Sequence, residues 1–198
     1  LAPPPYASED PIVIYGTSIT QGGCANRPGM AFTNILARRL NRPIINLGFS
    51  GSGKLEPEVG RHVADASTHP ALLVIDADAN CGPDLLKPRL RPFIAILRQT
   101  HPRTPILIVS RPPFASGQFQ RATQKKWALA RRLQERTVRH LRQQGDSRIH
   151  FLDGFTLIPD ATYEATVDGS HPTDLGFWQM AGVLEPVFRR LLRHARGG

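Results

Sequence analysis

The sequence predicts an α/β fold: a three-layer α/β/α sandwich around a five-stranded parallel sheet. Two observations carry that prediction. Five short runs rich in Ile, Leu and Val alternate with longer segments whose apolar residues recur at helical spacing, and most of the runs end in loops rich in Gly, Ser, Asn or Asp. Strands separated by helices make βαβ units, whose sheet is parallel and covered on both faces. A chain of 198 residues has room for one such domain, with a core that needs neither disulfide nor metal.

The first strand is the run Ile12-Val13-Ile14-Tyr15, which leads into Gly16-Thr17-Ser18 and a turn closed by Gly22. After the Arg27-Pro28-Gly29 loop, the spacing of Phe32, Ile35, Leu36 and Leu40 predicts a helix over 30–40. Pro43 separates it from a second strand at 44–47, which opens into Gly48-Phe49-Ser50-Gly51-Ser52-Gly53. A weakly patterned helix over 56–66 precedes the most apolar run, 71–75, expected to be the central strand, with Asp76, Asp78 and Asn80 at its carboxyl end. In the helix over 85–100, Pro88 and Pro92 should confine regular hydrogen bonding mainly to the later part. A fourth strand at 106–109 is followed by the Arg111-Pro112-Pro113-Phe114 loop and a long helix over 120–144. Trp127, Ala130, Leu133, Val138 and Leu141 lie near one face of that helix. Its Lys125, Lys126, Arg131, Arg132, Arg136, Arg139 and Arg142 are read as the solvated side. A fifth strand at 149–152, a loop to Pro172 and a last helix over 173–194 complete the domain, 11–198. Residues 1–10, with three consecutive prolines, read as a linker.

Lys and Arg outnumber Asp and Glu by 25 to 16, a formal charge of +9. The excess is spread over helix-like segments without aromatic interleaving or a nucleic-acid-binding motif, so solvated helix faces are preferred to a nucleic-acid footprint. No apolar run approaches the ~20 residues of a membrane span. The chain does not fix its compartment, and a periplasmic or secreted one is preferred to the cytoplasm. Cys24 and Cys81 both fall beside loops expected at one rim of the sheet, either bridged or as two free thiols.

Parallel sheets take their ligands beyond the carboxyl ends of the strands, and the chemistry-bearing residues fall there. Ser18, Gly51 and Asn80 follow the first three strands, and Asp168-Gly169-Ser170-His171 precedes the last helix. A serine hydroxyl is inert at neutral pH unless a base takes its proton, and that base needs an orienting carboxylate. Ser18 is the candidate nucleophile, His171 its base, and Asp168, three residues earlier, the group that fixes the imidazole tautomer. The backbone N–H groups of Ser18 and Gly51 and the Asn80 amide are candidate donors to an oxyanion.

These blocks resemble the GDSL or SGNH hydrolase family, flavodoxin-like esterases and acylhydrolases. The first block stands as Gly16-Thr17-Ser18-Ile19, with threonine where the family usually has aspartate. The second stands as Asn46-Leu47-Gly48-Phe49-Ser50-Gly51, its oxyanion glycine matching Gly51, and the last as Asp168-Gly169-Ser170-His171, followed by Pro172 and Gly176. The third departs: Asp78-Ala79-Asn80 keeps the asparagine but replaces the family's glycine with aspartate. A negative charge there would oppose an oxyanion unless Asp78 points away. The stretch from Tyr15 to Met30, with Asn46 to Gly53, is similar to a bacterial subgroup that often carries an additional β-rich domain ahead of the core. The resemblance implies a serine esterase acting on a small ester, foremost an acetyl ester of a carbohydrate, through a Ser-His-Asp triad. Phe49, Phe114 and Ile158 are candidates for an acyl pocket.

Other readings compete. The same fold could serve a lysophospholipase or thioesterase, a non-catalytic binding module, or a basic module for anionic surfaces. Ser18 could be only a helix cap. The Gly48 to Lys54 stretch lacks P-loop spacing. No metal or cofactor is expected, since Asp76, Asp78, Cys81 and His62 do not form a ligand-spaced cluster. His69, His101, His140, His150 and His194 are read as surface or packing residues.

Overall fold

The computed structural model describes residues 4–159 and 163–195. Leu1 to Pro3 of the expected linker and the side chain of His194 lie outside the described residues.

Strands β1 (Ile12–Gly16), β2 (Ile44–Gly48), β3 (Leu72–Asp76), β4 (Ile106–Val109) and β5 (Ile149–Leu152) form one parallel sheet in the order β2-β1-β3-β4-β5. β1, β3 and β4 are buried along their whole length, as unbroken apolar runs require in a sheet covered on both faces. Alternation along each strand divides the core in two. Ile12, Ile14, Leu72, Val74, Leu107 and Val109 face one side with α2 (Phe32–Leu40) and α6 (Asp174–Ala195). Val13, Tyr15, Leu73, Ile75, Ile106 and Ile108 face the other with α3 (Pro57–Asp65), α4 (Asp78–Thr100) and α5 (Arg121–Gln143).

The register sets up the site. Gly16 pairs with Gly48 on one side and Asp76 on the other, so three loops leave the sheet from one level of one edge. A helix of four residues, α1 (Ser18–Gln21), folds back across these strand ends. A Cβ on Gly16 would lie 2.0 Å from Thr20 Oγ1, and one on Gly48 2.1 Å from the Gln21 backbone nitrogen. Both glycines are therefore dictated by close approach of α1.

Four details differ from the sequence expectation. The helix expected from residue 30 starts at Phe32, after a 3₁₀ turn over Pro28–Met30. α4 runs through Pro88 and Pro92 instead of being confined to its later part. The two prolines are four residues apart and both exposed, so the carbonyls that lose N–H partners lie on the solvent side. Its real break is at Gly82 (φ 56°, ψ −175°), which separates the turn carrying Asn80 from the rest of the helix. On α5 the buried positions are Ala130, Gln134 and Val138, so a glutamine occupies the apolar stripe. Nor is the basic side of α5 wholly given to solvent: Arg131 pairs with Asp153 at 2.9 Å, and Arg142 donates to the Ile149 carbonyl.

Candidate active site

The segment before α6 is built to hold one imidazole. Gly169 takes a left-handed backbone (φ 82°), turning the chain so that Val167 N–H donates to the His171 carbonyl and Thr166 bridges Pro172. One oxygen of Asp168, Oδ1, accepts the backbone N–H groups of Ser170 (2.9 Å) and His171 (2.8 Å). The other, Oδ2, lies 2.7 Å from His171 Nδ1. These hydrogen bonds, led by the backbone N–H and ring of His171, hold the Asp168 carboxyl at about 2, well below the ordinary carboxylate range.

The other imidazole nitrogen, Nε2, is 2.9 Å from Ser18 Oγ. Ser18 opens α1, and Thr17 caps that helix by accepting the Ile19 N–H. A hydroxyl, an imidazole and a carboxylate thus form one hydrogen-bonded chain across 153 residues of sequence.

The second and third loops meet at Gly53. The Gly53 N–H donates to Asn80 Oδ1 at 3.2 Å, which engages the oxygen end of the amide and leaves Nδ2 as its donor. Gly51, at φ 68°, has open space where a side chain would stand. Asp78 is fully buried, and its carboxylate accepts from the backbone N–H of Arg111 (3.1 Å), from Arg111 Nε (3.4 Å) and from Gln134 Nε2 (2.9 Å). Its charge is turned toward a guanidinium. Burial pushes the Asp78 carboxyl up and Arg111 pulls it back down.

Arg111 and Gln134 were absent from the sequence-derived candidates. The available signal was a polar residue at 134 between Ala130 and Val138 at i, i+4 spacing, which asks for a buried polar partner. Thr20 and Asp76 were likewise not seen as a pair: Thr20 Oγ1 donates to Asp76 Oδ2 at 2.8 Å in the core beneath Ser18.

Burial pushes the Asp76 carboxyl up to about 6, with the Thr20 hydroxyl acting the other way. The folded protein therefore keeps this proton to a higher pH than the unfolded chain. The resulting stability is complete below about pH 4 and lost as pH rises through about 6, a difference of about 3 kcal/mol. Asp76→Asn keeps an acceptor for Thr20 without the charge. It is expected to raise Tm relative to the parent at pH 8 and to leave it unchanged at pH 4, as thermal unfolding at the two pH values would read.

Phe114 and Ile158, two of the acyl-pocket candidates, are core residues, 9% and 2% exposed, while Phe49 is 42% exposed beside the Gly51 loop. Beyond β4 and β5 lies a cavity of about 430 Å³ walled by Phe114, Trp127 and Phe155, with Arg131 and Asp153 at its rim. A basic hollow of about 300 Å³, lined by Arg42, Arg103 and Arg148, sits where β1, β3, β4 and β5 begin, at the opposite edge from Ser18. Cys24 is exposed and Cys81 buried, and both are free thiols, which decides between the two cysteine readings. Among the described residues, no three His, Cys, Asp or Glu side chains gather as a metal site would need, and no helix is long and apolar enough to cross a membrane.

A search of curated protein sequences finds no match. Among solved structures, a GDSL-like lipase from Bacteroides ovatus is 33% identical, with a TM-score of 0.88 over 96% of this chain and 55% of its own. A salicylyl-acyltransferase from a tetracycline biosynthetic pathway is 25% identical, with a TM-score of 0.81 over 93% of this chain and 55% of its own. A family two carbohydrate esterase from Clostridium thermocellum, solved with cellohexaose, shares the fold at 18% identity and a TM-score of 0.72, over 98% of this chain and 67% of its own. The chain spans just over half the length of the first two. The model of the GDSL-like lipase/acylhydrolase family matches residues 9–189, nearly the whole sequence, and the chain belongs to that family.

Proposed function

We propose that the protein is a serine esterase that removes short acyl groups, acetyl foremost, from a carbohydrate or related small ester. The observation that carries this reading is the 2.9 Å contact between Ser18 Oγ and an imidazole whose far nitrogen is held by a carboxylate. Ser18 Oγ attacks the ester carbonyl as His171 Nε2 takes its proton. Asp168 keeps the other proton on Nδ1 and stabilises the imidazolium. The negative charge on the carbonyl oxygen is met by the N–H groups of Ser18 and Gly51 and by Asn80 Nδ2. The imidazolium then protonates the departing alkoxide, leaving an acyl-Ser18 ester. Water, deprotonated by His171, attacks that ester and releases the carboxylic acid.

Family membership supports ester or acyl chemistry at this site, and the carbohydrate esterase among the structural neighbours supports a sugar ester as the substrate class. The 25% identical acyltransferase supports a second reading, in which an alcohol rather than water accepts the acyl group.

The test is release of p-nitrophenol from acetate, butyrate and octanoate esters, beside release of acetate from acetylated xylo-oligosaccharides. The reading expects the highest kcat/KM on the acetate and acetate release from the sugars. Preference for the octanoate, or sugars left intact, would overturn the acyl or the substrate assignment respectively. Because Asp168 stays ionised down to about pH 2, its own protonation should not contribute to any loss of kcat/KM above that pH, which a pH-rate profile would read.

A further inference from the structure

We infer that Arg111 is a positioning residue for the Asn80 amide, acting through Asp78 without touching substrate. The inference rests on the reading of Asn80 as an oxyanion donor.

Asn80 stands on a single helical turn, closed by Asn80 N–H and Cys81 N–H on the Ala77 carbonyl (3.2 and 3.0 Å). Beyond Cys81, the left-handed backbone of Gly82 disconnects that turn from the rest of α4. The hydrogen-bond ladder of a long helix therefore does not hold the amide in place. Something else must, because a donor displaced by about 1 Å forfeits much of its effect on the transition state.

Arg111 supplies the grip. Its backbone N–H and Nε both reach the Asp78 carboxylate, and its Nη2 donates to the Asp78 carbonyl at 3.2 Å. One residue of β4's exit thus binds both the side chain and the backbone of the residue that opens the turn. Gln134 Nε2, from α5, fills the remaining acceptor position on Asp78 Oδ2. At the other end of the turn, Asn80 Oδ1 and Cys81 Sγ hold the N–H and carbonyl of Gly53.

The guanidinium is itself fixed. Arg111 is 7% exposed, with its guanidinium carbon 5.1 Å from the centre of the Phe114 ring and 5.0 Å from that of Trp127, and the two rings meet edge-on at 5.5 Å. The aspartate that replaces the family's usual glycine is thus the anchor for the turn, and the arginine cancels the charge that would otherwise oppose an oxyanion.

The experiment removes both charges together, since deleting one would orphan the other in the core. Asp78→Ala/Arg111→Met is made in the parent and in an Asn80→Ala background, with circular dichroism to verify folding and p-nitrophenyl acetate as substrate. In the parent background, kcat is expected to fall at least tenfold with KM within about twofold. In the Asn80→Ala background the same pair should change kcat less than about twofold, because the group it positions is gone. Arg111→Lys retains a charge for Asp78 but cannot also reach its carbonyl. It should show the same non-additivity with Asn80→Ala if the double variant does not fold. Parent kcat in a folded double variant, or a full additional loss in the Asn80→Ala background, would overturn the inference alone. Parent kcat in Asn80→Ala itself would overturn the oxyanion reading and the inference with it.

Discussion

Ser18→Ala is expected to lower kcat on p-nitrophenyl acetate by roughly 10⁴ to 10⁶ while leaving the fold and Tm essentially unchanged. Among the described residues the hydroxyl makes one side-chain hydrogen bond, to His171 Nε2, whereas Thr17 caps α1 and two glycines seat it against the sheet. Deleting Oγ therefore removes the nucleophile and little else. The imidazole should stay oriented, because Asp168 holds it from the other side at 2.7 Å. Groups that act as one unit lose their effect together, so His171→Ala should cost a comparable factor, and the pair of substitutions little more than either alone. Steady-state rates for the three variants, with circular dichroism as the control, decide the matter. Equal rates for Ser18→Ala and the parent would remove the serine esterase reading.

Asp168→Asn should be worse than Asp168→Ala, although it is the smaller change. Oδ1 accepts two backbone N–H groups, those of Ser170 and His171, and an asparagine in the same place has to put its oxygen there. Its NH2 then faces His171 Nδ1 as a donor, which forces the proton of the neutral ring onto Nε2. That nitrogen now points a proton at Ser18 and cannot take one. A wrong tautomer of this kind costs on the order of 10³ to 10⁴ in kcat. Asp168→Ala leaves the two exposed backbone N–H groups to water and frees the ring, which can still visit the productive tautomer, so the loss should be smaller. The measurement is kcat for both variants on p-nitrophenyl acetate. A slower alanine variant would mean that the carboxylate matters through its charge and not through the tautomer it imposes.

Much of the architecture was legible in the residues. The five apolar runs all became strands, within a residue or so of the expected limits, because period and composition are local properties of the chain. The helix errors share a cause. Pro88 and Pro92 counted against the early part of α4 because a sequence does not reveal that both face solvent, where the lost hydrogen bonds cost least. Arg131 and Arg142 were read as solvated because nothing along the chain announces Asp153 or the Ile149 carbonyl as their partners. For the candidate site, residue type and the three-residue spacing of Asp168 and His171 were enough to nominate the members, and the separation along the chain was not.

Asp78 shows the same limit more sharply. Beside Asn80 it reads as a charge that would oppose an oxyanion. In the folded protein it is buried against Arg111, 33 residues away, and Gln134, 56 residues away. A charge that is costly when isolated becomes tolerable when paired, and pairing across the core is a property of the fold.

The order of residues by itself determined where strands and helices lie, which strand ends carry the candidate residues, and which hydroxyl, imidazole and carboxylate belong to the candidate set. Those depend on periodicity, on glycine and on side-chain chemistry, all of which act over a few neighbouring positions. Only the tertiary structure decided that Ser18 Oγ stands 2.9 Å from His171, that Asp78 turns from the Gly51 loop to Arg111, and that Arg111 packs against two aromatic rings. Each of those is set by strand register and helix packing, which bring together groups that the chain itself keeps far apart.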